Sequence, residues 1–157
     1  MRLTFGVQGV DKVIAEIKKL SLEKRAQIRA AVNETAVNIQ RNAKRACPVD
    51  TGRLRSSIRM EFYSNGLAAE VFTNVKYAPY VEFGTGMRGA ASKKPPGMPS
   101  VDYTLSWPGM PARPFLFPAA EQERRKFEER IKKILGSSIG SVGQAVTGGI
   151  VDTEGDE

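Results

Sequence analysis

Histidine is absent from this chain. Its absence removes Ser-His-Asp and Cys-His nucleophilic sites and every imidazole metal site. Cysteine occurs once, as Cys47, so no disulfide can close within the chain and a reducing, cytosolic setting is the default expectation. Cys47 precedes Pro48 with Lys44 and Arg45 nearby, cations that lower a thiol pKa, but a buried thiol at a helix end is the simpler account. No apolar run approaches the roughly 20 residues of a membrane span. The start, Met1 to Gly6, alternates apolar and polar residues and holds no signal-peptide core. Gly84-Thr85-Gly86 lacks the lysine and spacing of a phosphate-binding loop. The pair Glu128-Glu129 sits among Lys and Arg, the pattern of a solvated helix face. The expectation is a chain without catalytic residues, metal or cofactor.

Charge is present but uneven. The net +7 over 157 residues is matched by residues 11–59 alone, where 12 Lys/Arg face 5 Asp/Glu. Residues 136–157 hold no Lys or Arg and four acids, Asp152, Glu154, Asp156 and Glu157. A basic body suits an acidic partner, either nucleic acid or a protein rim, and equally suits a solvated helix face.

The length fits one domain with an appendage, expected as 1–135 plus a Gly/Ser-rich acidic tail over 136–157. Leu3, Phe5 and Val7 alternate with polar residues as in a strand. Asp11 suits the cap of a helix with Val13, Ile14, Ile17 and Leu20 on one face. Ser21 suits the cap of a longer helix striped by Ile28, Val32, Thr35, Ile39, Ala43 and Ala46, with Arg25, Arg29, Arg41, Lys44 and Arg45 outward. Pro48 stops it. Two alternating segments, 58–63 and 69–75, flank Ser64-Asn65-Gly66, a strong hairpin signal. Residues 84–114 read as a long loop or extended insertion, interrupted by a strand in which Val101, Tyr103, Leu105 and Trp107 alternate with polar residues. Pro118 suits the first turn of a last helix with Ala120, Phe127, Ile131 and Ile134 as its stripe, ended by Gly136.

Three phrases concentrate Gly, Pro, Arg and aromatic residues: VDTGRLRSSI at 49–58, YAPYVEFGTG at 77–86 and PARPFLFPAAE at 111–121. In the first, Asp50 or Thr51 caps a short turn, Gly52 permits tight geometry, and Leu54 and Ile58 share an inward face. Arg53 and Arg55 then point outward, free to pair with a neighbour's carboxylates. In the second, Pro79 opens a one-turn helix closed by Gly84, and Tyr77, Tyr80 and Phe83 serve either the core or an interface. In the third, three prolines including Pro114 force an extended approach to the last helix, and Phe115, Leu116 and Phe117 anchor it.

Taken in order, these phrases resemble a family of small tail-component proteins of long-tailed phages, the neck or tail-completion proteins, similar in role to minor tail protein Z. The residues carrying the resemblance are Val49 to Leu54 with Ser57-Ile58, then Tyr77, Tyr80 to Thr85, and Pro111 to Phe115. The resemblance implies an α/β (α+β) fold, a small mainly antiparallel sheet against a long N-terminal helix and a C-terminal helix. It implies a structural virion protein, assembled in the host cytoplasm, that joins head to tail as a closed sixfold ring. Its partners would be further copies of itself, the head-closure or connector protein, the major tail tube protein, and DNA passing through the lumen. Expected interface residues are Arg41, Lys44, Arg45, Arg53, Arg55, Tyr77, Tyr80, Glu82, Phe83, Lys93, Lys94, Trp107, Arg113 and Phe115. Expected structural turns are Asp50, Thr51, Gly52, Gly84, Gly86 and Pro114. The 84–110 insertion and the acidic tail depart from the family pattern and suit arms that reach a neighbour. A tail terminator ring, a basic nucleic-acid-binding module and a Ser/Lys hydrolase are the competing readings.

Overall fold

The computed structural model describes residues 2–5, 15–136 and 149–151. Four strands form one antiparallel sheet in the order β2-β3-β1-β4: β1 is Arg2–Phe5, β2 Arg59–Tyr63, β3 Ala68–Phe72 and β4 Gly149–Val151. Five helices accompany it: α1 Leu22–Ala46, α2 Arg53–Ser57, α3 Ala78–Phe83, α4 Gly86–Ala90 and α5 Leu116–Leu135. A short helical stretch at 15–18 precedes α1, and the expected Asp11 cap lies outside the described residues. The fold is mixed α and β, with α1 and α5 as its long members.

Ser21 caps α1, its hydroxyl accepting from the Lys24 backbone N–H at 3.3 Å. This satisfies one of the donors that a helix start leaves unpaired. Ile28, Val32, Thr35, Ile39 and Ala43 are buried as the spacing requires, joined by Ala31 and Ala36. At the end of the stripe the geometry differs from expectation. Ala46 is exposed and Cys47, in extended conformation, turns into the core instead. The shift occurs because the chain leaves helical geometry before Pro48.

The hairpin forms where Asn-Gly places it. Ser64, Asn65 and Gly66 all have positive φ, and Met60 opposes Val71 across the ladder. Alternation in the two segments implies one buried and one exposed stripe, which does not hold here. β3 is buried on both faces, with Val71 on one side and Glu70 and Phe72 on the other, whereas Phe62 and Tyr63 of β2 are exposed. β3 lies between two strands while β2 is an edge, and interior strands bury more.

The core joins Ala36, Ile39, Ala43 and Cys47 from the end of α1 to Leu54, Ile58, Val71, Val75, Ala78, Phe115, Leu116 and Ala119. Polar links tie α1 to α5 along its other edge. Arg130 pairs with Glu34 at 2.7 Å and donates to Thr35, and buried Glu123 accepts from Asn38 at 3.3 Å and Lys126 at 2.8 Å. α5 ends at Gly136 as expected, but Leu116, Phe117, Ala119 and Ala120 carry its burial, and Phe127, Ile131 and Ile134 are half-buried.

Residues 84–114 are not a structureless loop. Thr85 and Met110 exchange backbone hydrogen bonds at 2.8 and 2.9 Å, the Met87 N–H donates to the Trp107 carbonyl at 3.1 Å, and the Ala112 N–H donates to Ser92 Oγ at 2.9 Å. The strand expected at 101–107 does not form. Its tyrosine, Tyr103, is instead held by a 2.7 Å hydrogen bond to the Phe83 carbonyl, and Val101, Leu105 and Trp107 are exposed. Alternation alone cannot make a strand without a partner edge to pair with. Of the stretch expected as a tail, 149–151 forms β4 against β1, and 137–148 and 152–157 lie outside the described residues.

Candidate assembly groove

The three phrases meet. Pro48 to Leu54, Tyr77 and Val81, and Met110 and Arg113 together line a concave surface of about 300 Å³. Each phrase reaches it by a local device. Gly52 takes a left-handed conformation (φ 80°) that turns the chain sharply into α2, while Thr51 Oγ1 accepts from the Arg53 N–H at 3.4 Å. A side chain there would be strained, although nothing lies near a Cβ at that position. α2 then buries Leu54 and leaves Arg53 and Arg55 in solvent. Ser57 Oγ lies 2.6 Å from Thr73 Oγ1, which fastens α2 to the segment leaving β3.

The second and third phrases are joined from inside. Glu82, on α3, is fully buried, and its carboxylate accepts three backbone N–H groups at the start of α5. Oε2 receives Phe115 at 2.9 Å and Leu116 at 3.0 Å, and Oε1 receives Phe117 at 2.8 Å. α5 has no capping side chain of its own, so Glu82 supplies the cap from 33 to 35 residues away. Burial pushes the Glu82 carboxyl above the ordinary carboxylate range, and the three N–H donors pull against that rise. The Arg113 N–H donates to the Val81 carbonyl at 2.8 Å, adding a backbone clasp between the same segments.

Gly84 closes α3 with φ 75° and ψ −179°, a region open essentially to glycine alone. A Cβ at Gly84 would lie 2.6 Å from the Ala112 nitrogen and 2.7 Å from the Met110 oxygen. Gly86 is packed equally closely against the Trp107 carbonyl and Gly109. Both glycines therefore serve close backbone approach, which brings 110–113 against α3.

The expected interface residues divide into two groups. Arg53, Tyr77 and Arg113 line the groove together with the turn residues Asp50, Thr51 and Gly52. Tyr80 stands on the same short helix as Val81 and is 59 % exposed. Arg41 and Arg45 are exposed and Lys44 half-buried near the end of α1. Trp107 is exposed in the 84–114 segment, where Lys93 is also in solvent and Lys94 Nζ lies 4.5 Å from the Tyr103 ring. Glu82, Phe83 and Phe115 are corrected from surface to interior, since all three are buried. Glu82 holds α3 to the start of α5, and Phe115 packs in the core. Pro114, half-buried, leads into that junction.

Sequence reasoning missed the role of Glu82, an isolated acid in an aromatic phrase followed downstream by an uncapped helix start. Met110 and Val49, exposed apolar residues on the groove, were missed as well. Cys47 is buried in the core. Burial raises its pKa, Arg55 lowers it and Glu82 raises it, leaving the thiol above its usual value and poorly nucleophilic at neutral pH. Among the described residues no helix is long and apolar enough to cross a membrane.

No curated protein and no solved structure matches this chain. A family model does match, across the long helix, the first phrase, the hairpin and α3. From residue 11 to residue 84 the chain is similar to the family described as "Bacteriophage HK97-gp10, putative tail-component".

Proposed function

We propose that this chain is a structural protein of the phage neck, a tail-completion or head–tail joining protein. Copies close into a ring of six between the head-closure protein and the tail tube, and DNA passes through the lumen without being read. The observation that carries this reading is the convergence of the three phrases on one groove with a rigid floor and an exposed rim. The floor is held by Glu82 and by the clasp from Arg113 to Val81. The rim offers Val49, Tyr77 and Met110, together with Arg53 and Arg113, and exposed Tyr80 is the chain neighbour of the lining residue Val81. Aromatic and arginine side chains around a concave site are the composition of a protein–protein contact.

A ring needs a heterologous contact, in which one patch meets a different patch on the next copy. The groove is one such patch, and the 84–114 segment, with Met87, Leu105 and Trp107 exposed, is the second. Such a role calls for no reaction. Deleting the gene and imaging the particles tests the reading. Full heads and separate tails, rejoined when the chain is supplied, are the expected result. Normal virions without the chain would reject it.

A further inference from the structure

Cations gather beside the groove as well as on it. Residues 41–59 hold Arg41, Lys44, Arg45, Arg53, Arg55 and Arg59 against a single acid, Asp50, so they supply +5 of the net +7. α5 has as many bases, six, but four acids accompany them, and Arg124, Lys126 and Arg130 are each in an ion pair. Among the described residues none of the bases of 41–59 forms an ion pair.

Four of these bases surround the end of α1 and stay off the groove lining. Arg41 and Arg45 stand one turn apart on the solvent side of α1, opposite buried Ile39 and Ala43, with half-buried Lys44 beside them. Arg55, exposed on α2, is close enough to the Cys47 thiol to oppose its rise in pKa, which puts it next to the end of α1. Gln40 Nε2 donates to the Ile58 carbonyl at 3.0 Å, so α1 and the segment after α2 are tied beneath the cations. The other two bases are turned elsewhere. Arg53 lines the groove, and Arg59 alternates with core-packed Met60 on β2, so it faces the opposite side of the sheet.

The helix macrodipole accounts for Lys44 and Arg45 in the last turn of α1, but not for Arg41 a turn earlier or for Arg55. No large apolar side chain is exposed on 41–46 or on α2. Protein contacts are depleted of charge at their centres and rest on aromatic or apolar anchors, whereas nucleic-acid contacts are strongly positive. The planar guanidinium fork matches phosphate oxygens. From Arg41 to Arg45 the helix axis advances about 6 Å. A DNA duplex sets out roughly three phosphates over that length, one per about 1.7 Å.

We propose that Arg41, Lys44, Arg45 and Arg55 form a site for the phosphate backbone of double-stranded DNA. Sequence plays no part in this contact, because phosphates carry no base information. In the neck this face would meet the DNA on its way through the ring. That placement rests on the neck reading, whereas the contact itself does not.

The test titrates the full chain against a short fluorescein-labelled duplex, read by anisotropy between 50 and 200 mM NaCl. Four phosphate contacts give a log–log slope near −3.6, about a 150-fold loss of affinity over that range. R41Q/R45Q should halve the slope, and a duplex of unrelated sequence should bind equally well. K132Q/K133Q removes the same charge from exposed positions of α5 and should leave the slope as it is. Equal losses in the two variants overturn the proposal, since net charge would then explain the binding. No binding at 50 mM salt overturns it too. So does displacement of the duplex by poly-glutamate at matched charge, which would assign this face to an acidic protein. Because the isolated chain is used, failure here leaves the neck reading standing. A chain missing from virions would reject the neck role and leave the phosphate site untouched.

Discussion

The inward and outward halves of the three phrases follow opposite rules. Inward, Leu54, Ala78, Glu82, Phe83 and Phe115 are buried, and the one charged group among them accepts three backbone donors. Outward, Arg53, Tyr77, Tyr80 and Arg113 are exposed, and neither arginine is in an ion pair among the described residues. The comparison teaches that a single short phrase can fix a fold on one side and leave interaction capacity on the other. In α3 the two roles share one short helix, with Tyr80 out and Glu82 in. Damage to the inner half should appear as lost stability. Damage to the outer half should appear as lost assembly at unchanged stability.

The largest expected effect is Glu82→Ala. Three buried N–H groups lose their acceptor, at about 1–3 kcal/mol for each unsatisfied group. Urea unfolding of the purified chain should show a loss of about 4 kcal/mol or no folded protein, and Glu82→Gln, which keeps one acceptor oxygen, should fall between it and wild type. A loss below 1 kcal/mol would break the inner half of the comparison.

Gly84→Ala comes next. It combines a conformation that costs about 1–3 kcal/mol for other residues with a Cβ set against the Ala112 and Met110 backbone. Thermal unfolding should drop by about 3 kcal/mol at the midpoint. Gly52→Ala has the same kind of φ but no close neighbour, so its loss should be smaller, about 1 kcal/mol.

On the outer half, Tyr80→Ala and Arg113→Ala should change stability by no more than about 0.5 kcal/mol, as exposed substitutions do. The same variants should fail to restore infectious particles in a deletion phage, checked by plaque counts and particle imaging. A variant that destabilises the isolated chain strongly would move its residue to the inner half.

The smallest effect concerns Tyr63, whose hydroxyl donates to Glu61 at 2.6 Å and Glu70 at 3.1 Å. Those carboxylates, the Glu61 hydrogen bond foremost, push its phenol up to about 12. The sign follows from the neutral form being favoured in the fold. The contribution is fully present below the ordinary tyrosine value near 10 and is lost as pH rises through about 12. Tyr63→Phe should remove the highest-pH component of the phenolate absorbance titration.

Much of this was readable before any coordinates. Ser21, the four-three spacing through Ile39, the Asn65-Gly66 turn, Pro79 with Gly84, and Gly136 each act within a few residues, so each announces its element in sequence. Three features were not readable, for one reason in common. The burial of both faces of β3, the failure of 101–107 to pair, and the cap that Glu82 supplies to α5 all depend on which distant segment lies alongside.

By itself, then, the sequence determined the mixed α and β class, most helix starts and stops, the hairpin, and the absence of imidazole chemistry, because propensity, capping and turn geometry are local. Only the tertiary structure decided which residues of the phrases face in and which face out. It brought Arg53, Tyr77 and Arg113 to one groove and sent Glu82 to the interior, because burial and buried hydrogen bonds are settled between segments distant in sequence.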